Sequence, residues 1–318
     1  MPNGTSKASQ FRGTAMNKSL CMIPERFAIE MIDRGWCLRN QIIWHKPNQR
    51  ADLELQMLNN LLMSNRITDD EACTSARLLA NTSCTQPFVV NSDCFSFLLG
   101  MASESIDLTI TSPPYNLGAK HHTGNNVFDA YDEYIDDMPE GEYQEQQIKV
   151  LNELYRVTKE GGSLMYNHKN RIRNGKQITP YEWLLKTEWT LKQEIVWFNG
   201  SQNFDKCRFY PMTERIYWLS KGTDTNFVNT INQHDLIKDT AEGTDKEHKR
   251  AFPVKLAQRF ILCFPNAEVI FDPYTGTGTT AIASIREKRK FIGTELSSRY
   301  CQLANKRIEN ELSQPTLF

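Results

Sequence analysis

The chain has 318 residues, 40% apolar and 24% charged, with a formal net charge of −1. This is a globular composition with room for one large or two ordinary domains. It excludes binding to nucleic acid through overall charge, so such binding would need a local basic patch. No apolar run reaches membrane-spanning length and no charged-then-apolar leader opens the sequence, so the cytoplasm is the expected compartment. The eight cysteines are scattered without a C-x-x-C pair, which points to reduced thiols rather than a zinc site or a disulfide framework.

Residues 1–20 are polar and aperiodic. Pro24 then opens an apolar helix that Gly35 ends, and Leu38 to Trp44 reads as a strand. This segment has an echo: Trp36 to Trp44 matches Trp189 to Trp197 position for position, 153 residues later (189 − 36). The pattern suggests a partial duplication. Residues 49–87 read as a helical linker, with a domain boundary near Gln86-Pro87. From Phe88 strands and helices alternate regularly, as in a parallel sheet with helices on both faces. Expected strands are Phe88–Val90, Ile106–Ile110, Ser163–Tyr166, Ile195–Trp197, Arg215–Leu219, Val269–Phe271 and Phe291–Thr294. Expected helices are Cys94–Met101, Tyr143–Val157 ended by Gly161-Gly162, Pro180–Thr187, Phe252–Phe264, Thr280–Glu287 and Ser298–Glu311. Residues 117–145 form a long excursion and 221–247 an irregular segment.

Two loops carry the chemistry. Thr111-Ser112-Pro113-Pro114-Tyr115-Asn116 follows a half-buried strand, and the Pro-Pro pair must end that strand. The stiff loop offers carbonyl oxygens, the Ser112 hydroxyl and the flat Tyr115 ring. Those groups suit a planar base with an exocyclic amino group. The second loop, Asp272-Pro273-Tyr274-Thr275-Gly276-Thr277-Gly278-Thr279, joins a strand to a helix. Its glycines allow close approach of a ligand, and the helix start presents free N–H groups. Glu295 ends the next strand, near the ~20-residue offset at which an acidic side chain binds ribose. With no G-x-G-x-x-G, a nucleoside cofactor without phosphate fits better than a dinucleotide, and S-adenosylmethionine is one such molecule.

These motifs, 111–116 and 271–280, resemble the catalytic and cofactor motifs of the S-adenosylmethionine-dependent DNA amino-methyltransferases, which modify cytosine N4 or adenine N6. The catalytic motif comes first, as in that family's β group. The resemblance covers 88–318 and implies an α/β fold: a permuted, doubly wound, mostly parallel seven-stranded sheet, here with an N-terminal partial-repeat and helical appendage. It implies catalytic roles for Ser112, Pro113, Pro114 and Tyr115. It also implies cofactor contacts from Asp93, Phe252, Pro253, Asp272, Gly276, Gly278, Thr279 and Glu295. Residues 1–48 resemble the middle of a second such enzyme.

Double-stranded DNA is the expected substrate, with a restriction endonuclease as candidate partner and a monomer or homodimer as the working form. The basic run 167–176 is expected to contact phosphates through Lys169, Arg171, Arg173 and Lys176, with Lys246 to Arg250 as a weaker patch. His121-His122 lack a third ligand, so no metal site is expected. Serine at the head of the first motif leans towards cytosine N4, because adenine enzymes of the family more often carry Asp there. Adenine N6 is the alternative. A catalytically silent DNA-binding relic and an RNA or protein-amide methyltransferase are weaker readings.

Overall fold

The computed structural model describes residues 87–117, 134, 136–200, 208–239 and 252–314. By its contacts the chain divides into two units, Met1–Gln49 and Arg50–Phe318, and the described residues all lie in the second. The repeat copy at 36–44, the 1–48 fragment, the helical linker, His121-His122 and the Lys246–Arg250 patch fall outside the described residues.

In chain order the elements are β1 (Phe88–Asn91), α1 (Cys94–Gly100), β2 (Ile106–Thr111), α2 (Glu140–Val157), β3 (Thr158–His168), β4 (Arg171–Arg173), β5 (Lys176–Ile178), α3 (Tyr181–Leu184), β6 (Thr190–Phe198), β7 (Thr213–Ser220), β8 (Leu236–Ile237), α4 (Val254–Cys263), β9 (Val269–Asp272), α5 (Thr279–Arg286), β10 (Lys290–Glu295) and α6 (Ser298–Ser313). One sheet runs β1-β10-β9-β2-β3-β7-β6-β8, and β4 pairs with β5 in a separate hairpin. Neighbours from β1 to β3 are parallel, while β7 runs antiparallel to both β3 and β6. The seven expected strands are all present. The two-residue β8 is an eighth, lying parallel to the edge of β6.

Strand alternation explains the double winding. Phe88 and Val90 enter one apolar cluster and Val89 the other; Leu164 and Tyr166 oppose Met165, and Tyr217 and Leu219 oppose Ile216 and Trp218. The first cluster takes α1, α2 and α3, the second α4, α5 and α6. In α4, Leu256, Ala257, Phe260 and Ile261 form the buried stripe, with each large side chain contributing about 1.5–3 kcal/mol. The open edge of β1 is covered by Asn305 of α6. Its Oδ1 accepts from Val89 N at 3.0 Å, and its Nδ2 donates to Val89 O at 2.9 Å.

Several boundaries differ from expectation. Gly161-Gly162 does not end α2; Thr158 ends it, and both glycines lie within β3. There the pairing with β2 slips between Ile106 and Leu108. Gly161 holds φ +75°, and a Cβ on Gly162 would come within 2.9 Å of the Asp107 carbonyl, so the glycines serve a bulge where the strands crowd. α2 begins at Glu140, three residues early, because Pro139 provides the turn into it. The expected helix at 180–187 shortens to α3. The basic stretch is a hairpin, turned by Asn174 (φ 52°) and Gly175 (φ 75°), rather than a loop.

Candidate active site

Strand order reverses direction of growth at the β9–β2 pair, and open α/β sheets bind ligands outside the carboxyl ends of such strands. β2 pairs directly with β9 in parallel, Leu108 opposite Ile270 and Thr109 opposite Phe271. The Ser-Pro-Pro-Tyr loop and the glycine loop therefore leave neighbouring strands at the same end of the sheet. β10, ending at Glu295, and β1, followed by Asp93, end on that side too.

Asp272 is the junction. Its Oδ1 accepts from Thr111 Oγ1 at 2.8 Å and Tyr274 N at 3.1 Å; its Oδ2 accepts from Thr280 Oγ1 at 2.6 Å. Burial pushes its carboxyl up to about 6, against the pull of those hydrogen bonds. Both oxygens are thus spent inside the protein, tying the catalytic strand to the start of α5. The glycine loop arches over the Glu295 side chain, which accepts from Gly276 N and Ser297 N, each at 2.8 Å. Burial raises that carboxyl to about 7. Gly278 holds φ 89° against Ala304, where a Cβ would stand 3.1 Å from the alanine Cβ. Gly276 holds φ 55° with nothing within 4 Å of an added Cβ. The open cradle at Gly276 beside a carboxylate fits a ribose-bearing ligand.

Asp93 is the N-cap of α1, accepting from Ser96 N at 2.9 Å and Ser96 Oγ at 3.1 Å. Phe252 packs on the second apolar cluster and Pro253 caps α4, which lies against α5. Thr279 is the first residue of α5 and is buried.

The catalytic loop is held from several sides. Tyr143 Oη stands 2.8 Å from both the Pro114 carbonyl and His168 Nε2. Burial keeps His168 neutral, down to about 3. Asn116 sits at φ 54° and pairs with Met138 through both ends of its amide, accepting at 2.7 Å and donating at 3.0 Å. Asp136 accepts from the Asn116 and Leu117 amides. Among the described residues nothing donates to the Pro113 carbonyl. Ser112 Oγ lies 2.7 Å from Tyr115 Oη, which donates to Glu214 Oε2 at 2.9 Å. Asn167 Nδ2 donates to Tyr115 Oη at 2.8 Å, to Glu214 Oε2 at 3.0 Å and, at 3.4 Å, to Ser112 Oγ. The Tyr115 ring rests tilted against His168, centroids 4.6 Å apart.

The basic hairpin corrects an expectation. Arg171 is buried and clamps Glu140 through two bonds of 2.8 Å while reaching the Asn116 carbonyl, so it is not a free phosphate contact. Arg173 bonds the carbonyls of Met138 and Asn116 and approaches Asp137. Both arginines hold the catalytic loop, because its backbone turns carbonyls towards the hairpin. Lys169 pairs with Glu214 at 3.0 Å, and only Lys176 of the four is exposed. Sequence reasoning missed Glu214, Tyr143 and Asp136. Glu214 carried a faint signal: an acid inside the apolar strand Thr213–Ser220.

The DNA methylase family (N6_N4_Mtase) matches residues 106–306, more than half of the chain. The orphan methyltransferase M.BamHII of Bacillus amyloliquefaciens is 27% identical over 258 residues, covering 65% of this chain and 89% of its own. The type II methyltransferase M2.DpnII of Streptococcus pneumoniae is 28% identical over 249 residues, covering 70% and 90%. Among solved structures, the PvuII DNA methyltransferase (cytosine-N4-specific) has a TM-score of 0.58 at 18% identity, covering 71% of this chain and 93% of its own. A putative DNA modification methylase of Thermus thermophilus, solved in complex with S-adenosyl-L-methionine, has a TM-score of 0.52 at 23% identity, covering 72% and 96%. These two likenesses show the fold. With the two motif loops side by side at the switch point and the family matched across them, the chain belongs to the N6/N4 DNA methylases and is an S-adenosylmethionine-dependent DNA amino-methyltransferase.

Proposed function

We propose that the protein methylates the N4 amino group of cytosine in double-stranded DNA. The observation that carries this reading is a serine hydroxyl, not a carboxylate, at the head of the catalytic loop, where β2 ends beside the glycine loop. An exocyclic amino nitrogen is a poor nucleophile because its lone pair is delocalised into the ring. Acceptance of its two hydrogens by Ser112 Oγ and the Pro113 carbonyl pulls it towards a tetrahedral shape and localises that pair. The Pro113-Pro114 pair fixes the acceptors, and the Tyr143 and Asn116 contacts hold the loop against the sheet, so positioning is the main catalytic contribution. When bound, S-adenosylmethionine supplies an electrophilic methyl group. Glu295 would hold its ribose hydroxyls, and Gly276, Gly278 and Thr279 would line its site. Tyr115 provides the stacking ring.

The base must leave the duplex, at a cost of a few kcal/mol. Lys176, the exposed cation of the hairpin, helps to offset this through a phosphate contact. Digestion of duplex DNA to nucleosides after incubation with labelled donor tests the reading. Label in N4-methyldeoxycytidine is expected; label in N6-methyldeoxyadenosine moves the assignment to adenine.

A further inference from the structure

Outside the two motifs, Glu214 is an acid that stands against the catalytic loop. It is the second residue of β7, the strand antiparallel to β3, and it is only 6% exposed. Its two oxygens divide the surroundings. Oε1 faces Lys169 Nζ at 3.0 Å and Asn199 Nδ2 at 2.9 Å. Oε2 faces Tyr115 Oη at 2.9 Å and Asn167 Nδ2 at 3.0 Å. Every one of these partners is a donor towards it.

The carboxylate fixes the direction of the whole chain of bonds. Because Glu214 can only accept, Tyr115 must spend its single proton on Oε2. The Tyr115 oxygen can then only accept from Ser112, 2.7 Å away. The Ser112 proton is thereby turned towards Tyr115; one Oγ lone pair meets Asn167 Nδ2 at 3.4 Å and the other is left to accept. The Asn167 amide cannot flip to reverse this, since flipping would set its Oδ1 against the carboxylate oxygen. A serine whose proton were free to rotate would meet the base amino group as a donor in some of its rotamers, and two donors repel.

We infer that Glu214 is a positioning residue of the methyl transfer: through Tyr115 it orients the Ser112 hydroxyl as an obligate acceptor for the hydrogen of the base amino group. The inference rests on the reading of Ser112 as that acceptor. Glu214 touches neither substrate nor methyl donor.

The test is a double-mutant cycle with Glu214→Gln and Tyr115→Phe, each also measured for donor binding by calorimetry and, with Ser112→Ala as reference, for single-turnover methylation of duplex DNA. Glutamine can turn its amide N–H towards Tyr115, which reverses the bond chain and consumes the Ser112 lone pair. Each single change is expected to lower the single-turnover rate roughly 10- to 100-fold, the range of one charge-assisted hydrogen bond. Donor affinity should stay within about twofold, because this chain of bonds does not include the glycine loop. Since Glu214 acts through Tyr115, the double variant should be no slower than the slower single one. A wild-type rate in Glu214→Gln, or losses that multiply in the double variant, overturns the inference. Should Glu214→Gln fail to bind donor, Tyr115→Phe decides alone, and an unchanged rate there refutes the relay. An unchanged rate in Ser112→Ala instead defeats the acceptor reading itself, which separates that failure from this one.

Discussion

Thr111, the last residue of β2, donates its hydroxyl to Asp272, the last residue of β9, across 2.8 Å. One bond joins the two strands at the point where one chain becomes the catalytic loop and the other the glycine loop. Both groups are buried, so the bond is shielded from water and from salt.

Thr111→Val keeps the β-branched shape and deletes only this donor. The carboxyl, already held up at about 6, loses a partner for its charged form. A loss of about 1–3 kcal/mol in unfolding free energy is expected, read as a lower urea midpoint with an unchanged slope. The single-turnover rate should fall with it, since the loops lose their common anchor.

The two loop glycines should separate folding from binding. Gly278→Ala drives a Cβ to 3.1 Å from Ala304 at φ 89°, so it should lower the melting temperature sharply. Gly276→Ala meets no atom within 4 Å and carries only the left-handed backbone cost, about 1–2 kcal/mol. Its main defect should be weakened donor binding, seen by calorimetry on folded protein.

Donor binding should depend on pH through Glu295. Burial raises its carboxyl from 4.5 to about 7, so near neutrality it is partly protonated. Ribose hydroxyls donate to the charged form, so binding releases a proton and affinity rises with pH. From pH 6 to pH 8 the dissociation constant should tighten about tenfold. In the free protein the same shift favours the fold below 4.5, and that contribution is lost as pH rises through about 7. Glu295→Gln should bind weakly with a flat profile, measured by calorimetry across that range.

The basic hairpin should split by exposure. Burial alone would raise the Glu140 carboxyl, yet its bonds to Arg171 hold it below the usual 4.5. Arg171→Ala removes both guanidinium bonds to that carboxylate and leaves the Asn116 carbonyl to Arg173 alone. It should destabilise the fold and slow methylation. Lys176→Ala should leave the melting temperature unchanged and reduce the salt slope of DNA binding by about 1, measured by titration at several salt concentrations.

The sequence by itself determined the alternation of strands and helices, the permuted order of the two motifs, and the placement of Ser112 and the glycines at strand ends. These are local properties: period-two burial, proline at the end of a strand, glycine at positive φ. The family and its methyl donor came from the resemblance of the two motifs at 111–116 and 271–280. What only the tertiary structure decided is which partner each polar group meets. Arg171 and Lys176 look alike in a run of cations, yet one is walled in by Glu140, Tyr143 and Trp183 while the other stands in water. Glu214 is an ordinary acid in a strand until β7 pairs antiparallel with β3 and sets it against Tyr115 and Asn167. Hydrogen-bond direction and charge burial depend on neighbours 47 and 99 residues away in sequence, and no local pattern encodes them.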